Sequence, residues 1–430
     1  MNNDLLRDPI ERRSFVERCA RYAFGLTVLP ALAGKLSAAE KAVQVSAAAR
    51  SAGFGKAKRI IFLELQGGLS HIDSFDPKTG DTKGPGAAIS TKADFQLTEY
   101  LPETAKIADK ITVIRSMSAK VGVHASAQYL MRTGYEKRST IVHPMLGAWA
   151  QHYLGSSSKT LPSTVCVNRS ANHGNGYFPA AFSPLPILDP DQGLTNSASA
   201  VSQDVQQKRI GLLEQLDATF GKKMADENVK AYGDFYESTL QLMKSSDLKA
   251  FDLAAEPAEL RDKYGRNKFG QGVLLARRLV ESGVRFVEVS SGGWDMHKQL
   301  ADGMEDRGGD FDRAFAALVS DLDSRGMLDS TLVAVTTEFG RKPQFDGGGR
   351  GHHPLVFSTA LAGGGVKRGY VHGKSDAKGY EPEEKPVSVG SFHATIAYAA
   401  GLPIEQEVTT PSGRPMTVGN KGKPAMEVFA

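Results

Sequence analysis

Four short stretches of this chain carry the side chains that could do chemistry. Gly293-Trp294-Asp295-Met296-His297 sets a carboxylate and an imidazole two residues apart, behind glycines that favour a turn. Glu338 ends an apolar run, and Arg341, Arg350 and the adjacent pair His352-His353 follow it across a glycine-rich loop. Ser70, His71, Asp73 and Asp76 crowd the segment after Gly67-Gly68, and His124 stands just before a helical segment. Mixed carboxylate and imidazole groups suit a divalent metal. Zn, Mn or Fe fits such a set better than Ca, which wants more oxygens, so Zn, Mn and Ca span the ions to be tried. Arg341 and Arg350 have the fork geometry for a phosphate or sulfate group.

Each of these residues also has a plainer reading. Asp295 could cap a helix with His297 on the surface, Glu338 could pair with Arg341, and an arginine among glycines is often simply solvated. Neighbouring residues of an extended segment face apart, so one of His352 and His353 at most is expected as a ligand. The Arg277-Arg278 pair reads as a charged helix face.

The elements that must position these groups follow from hydrophobic patterning. Arg59 to Leu65, Ile111 to Ile114, Leu161 to Val167, Val284 to Val289, Thr331 to Thr337 and Leu355 to Leu361 read as buried strands. Helices are expected from Ala125 to Met131, from His143-Pro144 onward, from Gly272 to Glu281, from Phe311 to Arg325 and from Phe392 to Ala400. Residues 168–196 read as a long polar loop, and 201–282 as a helical region inserted into the pattern. Strands alternating with helices predict an α/β fold, a doubly wound, mostly parallel sheet with helices on both faces. In such a sheet, ligands sit beyond the carboxyl ends of the strands, where Asp295 and Glu338 fall.

The chain has 430 residues, enough for a large core. Its 52 basic and 48 acidic residues leave a formal charge of +4, with no basic run of the kind that tracks a phosphate backbone, so nucleic acid is not an expected partner. Residues 1–39 contain Arg12-Arg13 ahead of a short apolar segment from Phe24 to Ala33, resembling a twin-arginine export signal. The segment is too short to span a bilayer comfortably, and no transmembrane span is expected beyond it. This predicts a periplasmic or exported protein, with a linker over 40–58 and one domain over 59–430. Of the two cysteines, Cys19 lies in the signal, so Cys166 would remain alone after cleavage, with no intramolecular disulfide.

The motifs Glu64-Leu65-Gln66-Gly67-Gly68-Leu69-Ser70-His71-Ile72-Asp73-Ser74-Phe75-Asp76-Pro77-Lys78, Gly293 to His297, Thr337-Glu338-Phe339-Gly340-Arg341 and Ala362 to Gly369 together resemble one family. It is the exported bacterial family of domain of unknown function 1501, a branch similar to the alkaline phosphatase and sulfatase superfamily. The resemblance implies an alkaline phosphatase-like α/β domain with metal on the carboxyl edge of the sheet. By resemblance, Asp295, His297, Glu338 and His352 or His353 hold the metal, with Asp73 or Asp76 as the first-strand carboxylate. Where the superfamily places a Ser, Thr or modified Cys nucleophile before a helix ending in Thr-Gly, this chain has His124. Histidine cannot closely imitate that nucleophile, and Gly351 stands where an Asp is usual.

These features lead to two expectations. One is an exported metal-dependent hydrolase acting on a phosphate or sulfate ester of a small molecule or polysaccharide, with His124 or Ser70 at the reacting centre. The other is an envelope scaffold or binding protein that keeps the fold and engages a protein partner without turnover.

Overall fold

The computed structural model describes residues 52–170, 174–195, 201–202, 204–205, 207–212 and 238–430. The expected export signal, most of the linker, part of the polar loop and much of the helical region lie outside the described residues.

The order in the chain is β1 (Arg59–Leu65), β2 (Ile111–Ser118), α1 (His124–Thr133), α2 (Leu146–Leu154), β3 (Thr164–Val167), β4 (Leu185–Ile187), α3 (Lys268–Glu281), β5 (Phe286–Ser291), α4 (Gly309–Ser324), β6 (Thr331–Thr337), β7 (Phe357–Ala362), β8 (Tyr370–His372), β9 (Val387–Ser388) and α5 (Val389–Ala400). The strands form one sheet in the order β8-β2-β7-β6-β1-β5-β3-β4, with β9 beside β2. Pairing is parallel except for β7, which runs antiparallel to both β2 and β6. The result is a mixed, mostly parallel sheet with helices packed against it.

Alternation along each strand divides the core in two. Ile61, Leu63, Val287, Val289, Val333 and Val335 face the layer built from α3 and α4. Ile60, Phe62, Phe286, Leu332 and Ala334 face Trp149 of α2, Met131 of α1 and Phe392 of α5. Strands buried on both faces read as nearly continuous apolar runs, and each fully buried Val or Leu contributes roughly 1.5–3 kcal/mol. This double burial is what holds the strand ends in fixed relation.

Three expectations need correction. The helix after His143-Pro144 starts at Leu146, with Met145 as its N-cap, so the proline lies just outside it. The segment read as a polar loop contains the short strand β4, parallel to β3. Arg277 is no exposed helix face: its side chain is 1% exposed and bridges Glu256 and Asp321, with Glu281 as a third partner. Among the described residues, no helix is long and apolar enough to cross a membrane.

Candidate metal centre

The path from β5 to β6 crosses β1, so the carboxyl ends of these three strands meet where the winding changes direction. Three loops leave from there. After β1, Gly67 and Gly68 adopt φ of 124° and 90°, a left-handed backbone open to glycine. A Cβ on Gly67 would lie 2.4 Å from the backbone nitrogen of Asp295. The glycine therefore lets the β1 and β5 loops touch, and Trp294 N donates to Gln66 O at 3.1 Å across that contact.

Four side chains converge on this spot. Ligand atoms of His124, Asp295 and His352 all lie within 4.8 Å of one another, the one such group of His, Cys, Asp and Glu among the described residues. His124 Nε2 is 3.3 Å from Asp295 Oδ2, and His352 Nε2 is 3.2 Å from Asp295 Oδ1. His297 flanks them, its Nε2 3.0 Å from Asp295 Oδ1 and 3.0 Å from His352 Nε2.

The opposite ring nitrogens fix the tautomers. His124 Nδ1 lies 2.8 Å from Glu338 Oε1, and His352 Nδ1 lies 2.9 Å from the carbonyl oxygen of Gly122. Both partners are acceptors, so both Nδ1 atoms carry the proton and both Nε2 lone pairs turn inward. His124 Nε2 is buried and has no hydrogen-bond partner. An inward lone pair left without a donor, beside a carboxylate and the inward-facing Nε2 of a second imidazole, is what a divalent cation would satisfy. The residues present fit such an ion.

Arg341 supplies the counter-charge. Its buried guanidinium donates to Gly68 O (2.8 Å), Gly67 O, Trp294 O (3.1 Å), Arg350 O (3.0 Å) and Asp295 Oδ1 (2.6 Å). Burial pushes the Asp295 carboxyl upward, but the hydrogen bond and charge of Arg341 outweigh it and hold the group down to about 2.

The structure assigns other expected residues to different work. Arg341 and Arg350 are not free to take an anion, because every guanidinium nitrogen of the first already donates within the protein and the second is fully buried. Arg350 Nε donates to Asp73 Oδ2 at 2.7 Å and Nη2 to Asp73 Oδ1 at 3.3 Å. Asp73 also accepts from the hydroxyl of Ser70. Asp73 is thus neutralised by Arg350 and lies outside the cluster. Ser70, 2% exposed, has its proton committed to that carboxylate and is not positioned as a nucleophile. Asp76 is likewise buried, against Lys78 at 3.1 Å and the hydroxyl of Ser375. His353 turns away from His352, as alternation in an extended strand requires, and its Nε2 donates to Tyr380 O at 2.6 Å. Glu338 stands behind His124 and accepts from Gly67 N (2.8 Å) and Gln128 (3.2 Å) as well. The pairing of Glu338 with Arg341 does not form, since Arg341 takes Asp295.

Sequence reading missed two partners. Gly122 acts through its carbonyl, which no residue type announces. Gln128 was visible in principle, because His124, Gln128 and Arg132 recur every fourth residue of α1 and so share one face. Arg132 reaches Glu288 at 3.0 Å, and Arg169 bridges Glu288 and Glu64.

No curated protein matches the sequence. Among solved structures, the chain is similar to the PsFucS1 sulfatase from Pseudoalteromonas sp., at 14% identity and a TM-score of 0.41, covering 87% of this chain and 76% of that one. It is similar to the lipoteichoic acid synthase LtaP from Listeria monocytogenes, at 10% identity and 0.42, covering 82% and 75%. A protein in the alkaline phosphatase superfamily from Vibrio parahaemolyticus gives 11% identity and 0.42, covering 88% and 72%. The profile of the family described as "Protein of unknown function (DUF1501)" matches residues 57–429, and the chain belongs to that family.

Proposed function

We propose that this chain is a metal-dependent hydrolase acting on a phosphate or sulfate ester, with its ion held by His124, Asp295 and His352 and flanked by His297. One observation carries the reading: the buried, unpartnered Nε2 of His124 faces Asp295 while its Nδ1 is held by Glu338. The chemistry a divalent ion supplies in such a setting is Lewis-acid polarisation of the ester oxygen and activation of water near neutral pH. Glu338 and the Gly122 carbonyl keep two imidazoles in the tautomer that presents Nε2. Arg341 keeps Asp295 ionised and aimed. His297, whose side chain is 52% exposed, stands between this centre and solvent, placed to pass a proton outward. Because Ser70 is committed to Asp73 and His124 to Glu338, water is the nucleophile in this reading, with no covalent enzyme intermediate.

The test is metal uptake followed by turnover. Zn, Mn or Ca added to metal-stripped protein should raise its melting temperature, and Asp295→Ala should abolish the rise. A wild-type chain that takes up none of the three disproves the reading.

A second reading, an envelope scaffold, is favoured by one observation: both nearby arginines are consumed internally, leaving neither to clamp an anionic substrate. A panel of aryl phosphate and sulfate esters separates the two. Turnover lost in Asp295→Ala supports the hydrolase, and metal binding without turnover of any ester supports the scaffold. We also propose export by the twin-arginine route, supported by Arg12-Arg13 ahead of the apolar segment. Residues 1–39 fused to a folded reporter should carry it out of the cytoplasm, and Arg12→Lys/Arg13→Lys should stop it.

A further inference from the structure

A cavity of about 350 Å³ opens at the carboxyl ends of β3 and β5, beside the first turns of α3 and α4. Its wall includes Gly292, three residues before Asp295 and so within about 10 Å of it along the chain. Arg307 Nη1 donates to Gly292 O at 3.2 Å, tying that wall to the turn that carries Asp295.

The hydrogen-bonding groups that line the cavity are of both kinds. Asn168, at a φ of 65°, donates through Nδ2 to Lys268 O at 3.1 Å, while its Oδ1 is buried without a partner. Ser291 Oγ accepts from Trp294 Nε1 at 3.3 Å, which leaves its own proton to donate. Asp310 Oδ1 accepts from Asn267 at 2.8 Å, leaving Oδ2 open. Lys268 and Arg307 add cationic donors at the exposed mouth. An anion offers acceptors alone and would meet Asn168 Oδ1 and Asp310. A metal cation would meet Lys268 and Arg307. A molecule bearing several hydroxyl groups, each a donor and an acceptor, satisfies both sets, and the buried ring of Phe269 offers an apolar surface for its C–H face.

We propose that this cavity holds the hydroxylated, sugar-like portion of the ester whose reacting group lies at Asp295, an assignment that rests on the hydrolase reading. The test titrates the full chain by calorimetry with a panel of neutral hexoses, with inorganic phosphate and, separately, with Zn. At least one hexose should bind, and Lys268→Ala and Asp310→Ala, both at exposed positions, should each weaken it about fivefold or more. Zn affinity should not change in either variant. Zn uptake without binding of any hexose overturns the cavity assignment, as does hexose binding that neither substitution weakens. Hexose binding that both substitutions weaken, in a chain that takes up no metal, supports the cavity and overturns the hydrolase reading instead.

Discussion

The Glu338 carboxylate accepts a 2.8 Å hydrogen bond from Nδ1 of His124, 214 residues earlier in the chain. Glu338 is buried at the end of β6, whereas His124 opens α1, so the bond spans two layers of the fold and sets the direction of one imidazole. Replacing Glu338 by Ala should weaken metal affinity about 10–100-fold, the usual loss when a group behind a histidine ligand is removed. It should also cost about 2–4 kcal/mol, because Gly67 N, Gln128 and His124 lose their acceptor together. Chelator competition and urea unfolding measure the two effects. Metal affinity unchanged in Glu338→Ala would refute the positioning role.

His352 and His353 should behave differently despite being neighbours. His352→Ala removes an inward-facing Nε2 from the cluster and is expected to abolish tight Zn binding. His353→Ala removes only a bond to the Tyr380 carbonyl and should leave Zn affinity within about threefold of wild type, a difference near 0.6 kcal/mol. Equal losses in the two variants, read by calorimetry, would contradict the geometry described for this strand.

Arg350 and Asp73 form a buried pair, and breaking one half leaves the other charge stranded. Arg350→Met should cost about 3–5 kcal/mol. The double variant Arg350→Met/Asp73→Leu should recover part of that loss, since no lone charge remains. Metal affinity of the folded double variant should stay near wild type. A large drop in it would mean that Asp73 belongs to the metal centre after all.

Stability should decline in mild acid. Burial holds His71 at about 4 even though Asp76 acts in the opposite sense, and burial likewise holds His393 at about 4. Both folded values lie below the ordinary 6.5 of histidine, so the unfolded chain takes up protons first as pH falls. The stability is therefore whole above pH 6.5 and is lost progressively on the way down to about 4. Each group contributes a slope of up to about 1.4 kcal/mol per pH unit in that window. Denaturant titrations from pH 7.5 to 4.5, run in chelator, should show a shallower slope for His71→Gln and for His393→Gln. An unaltered slope in both would mean that other groups govern the acid response.

Gly67→Ala should be among the harshest single substitutions. Its Cβ would press on the Asp295 backbone, and its φ of 124° is strained for alanine. A loss of about 2 kcal/mol or more is expected, with metal affinity reduced as well. A melting temperature within a degree of wild type would show that the two loops can separate freely.

Much of the fold was legible because doubly buried strands announce themselves. Thr331 to Thr337 and Arg59 to Leu65 carry apolar residues on both faces, and the structure has β6 and β1 over those same residues. Short edge strands such as β4 carry no such run and were hidden among prolines. The cluster was legible in its parts, since Asp295, His297, His352 and His124 were all nameable from residue type and motif. The division of labour was not. Spacing cannot show that Arg341 bonds four backbone carbonyls, or that Arg350 lies against Asp73 across 277 positions. Whether a charged group faces a ligand or another charge is decided by contacts between distant loops, and residue type alone looks the same in both cases.

A single buried guanidinium fastens the loops that follow β1, β5 and β6, through Gly67, Gly68, Trp294, Asp295 and Arg350. Grafting any one of these loops from another protein would leave the other two gripping a mismatched knot. Successful transplants should therefore carry all three segments together with Arg341, so that the centre travels as one inheritable block.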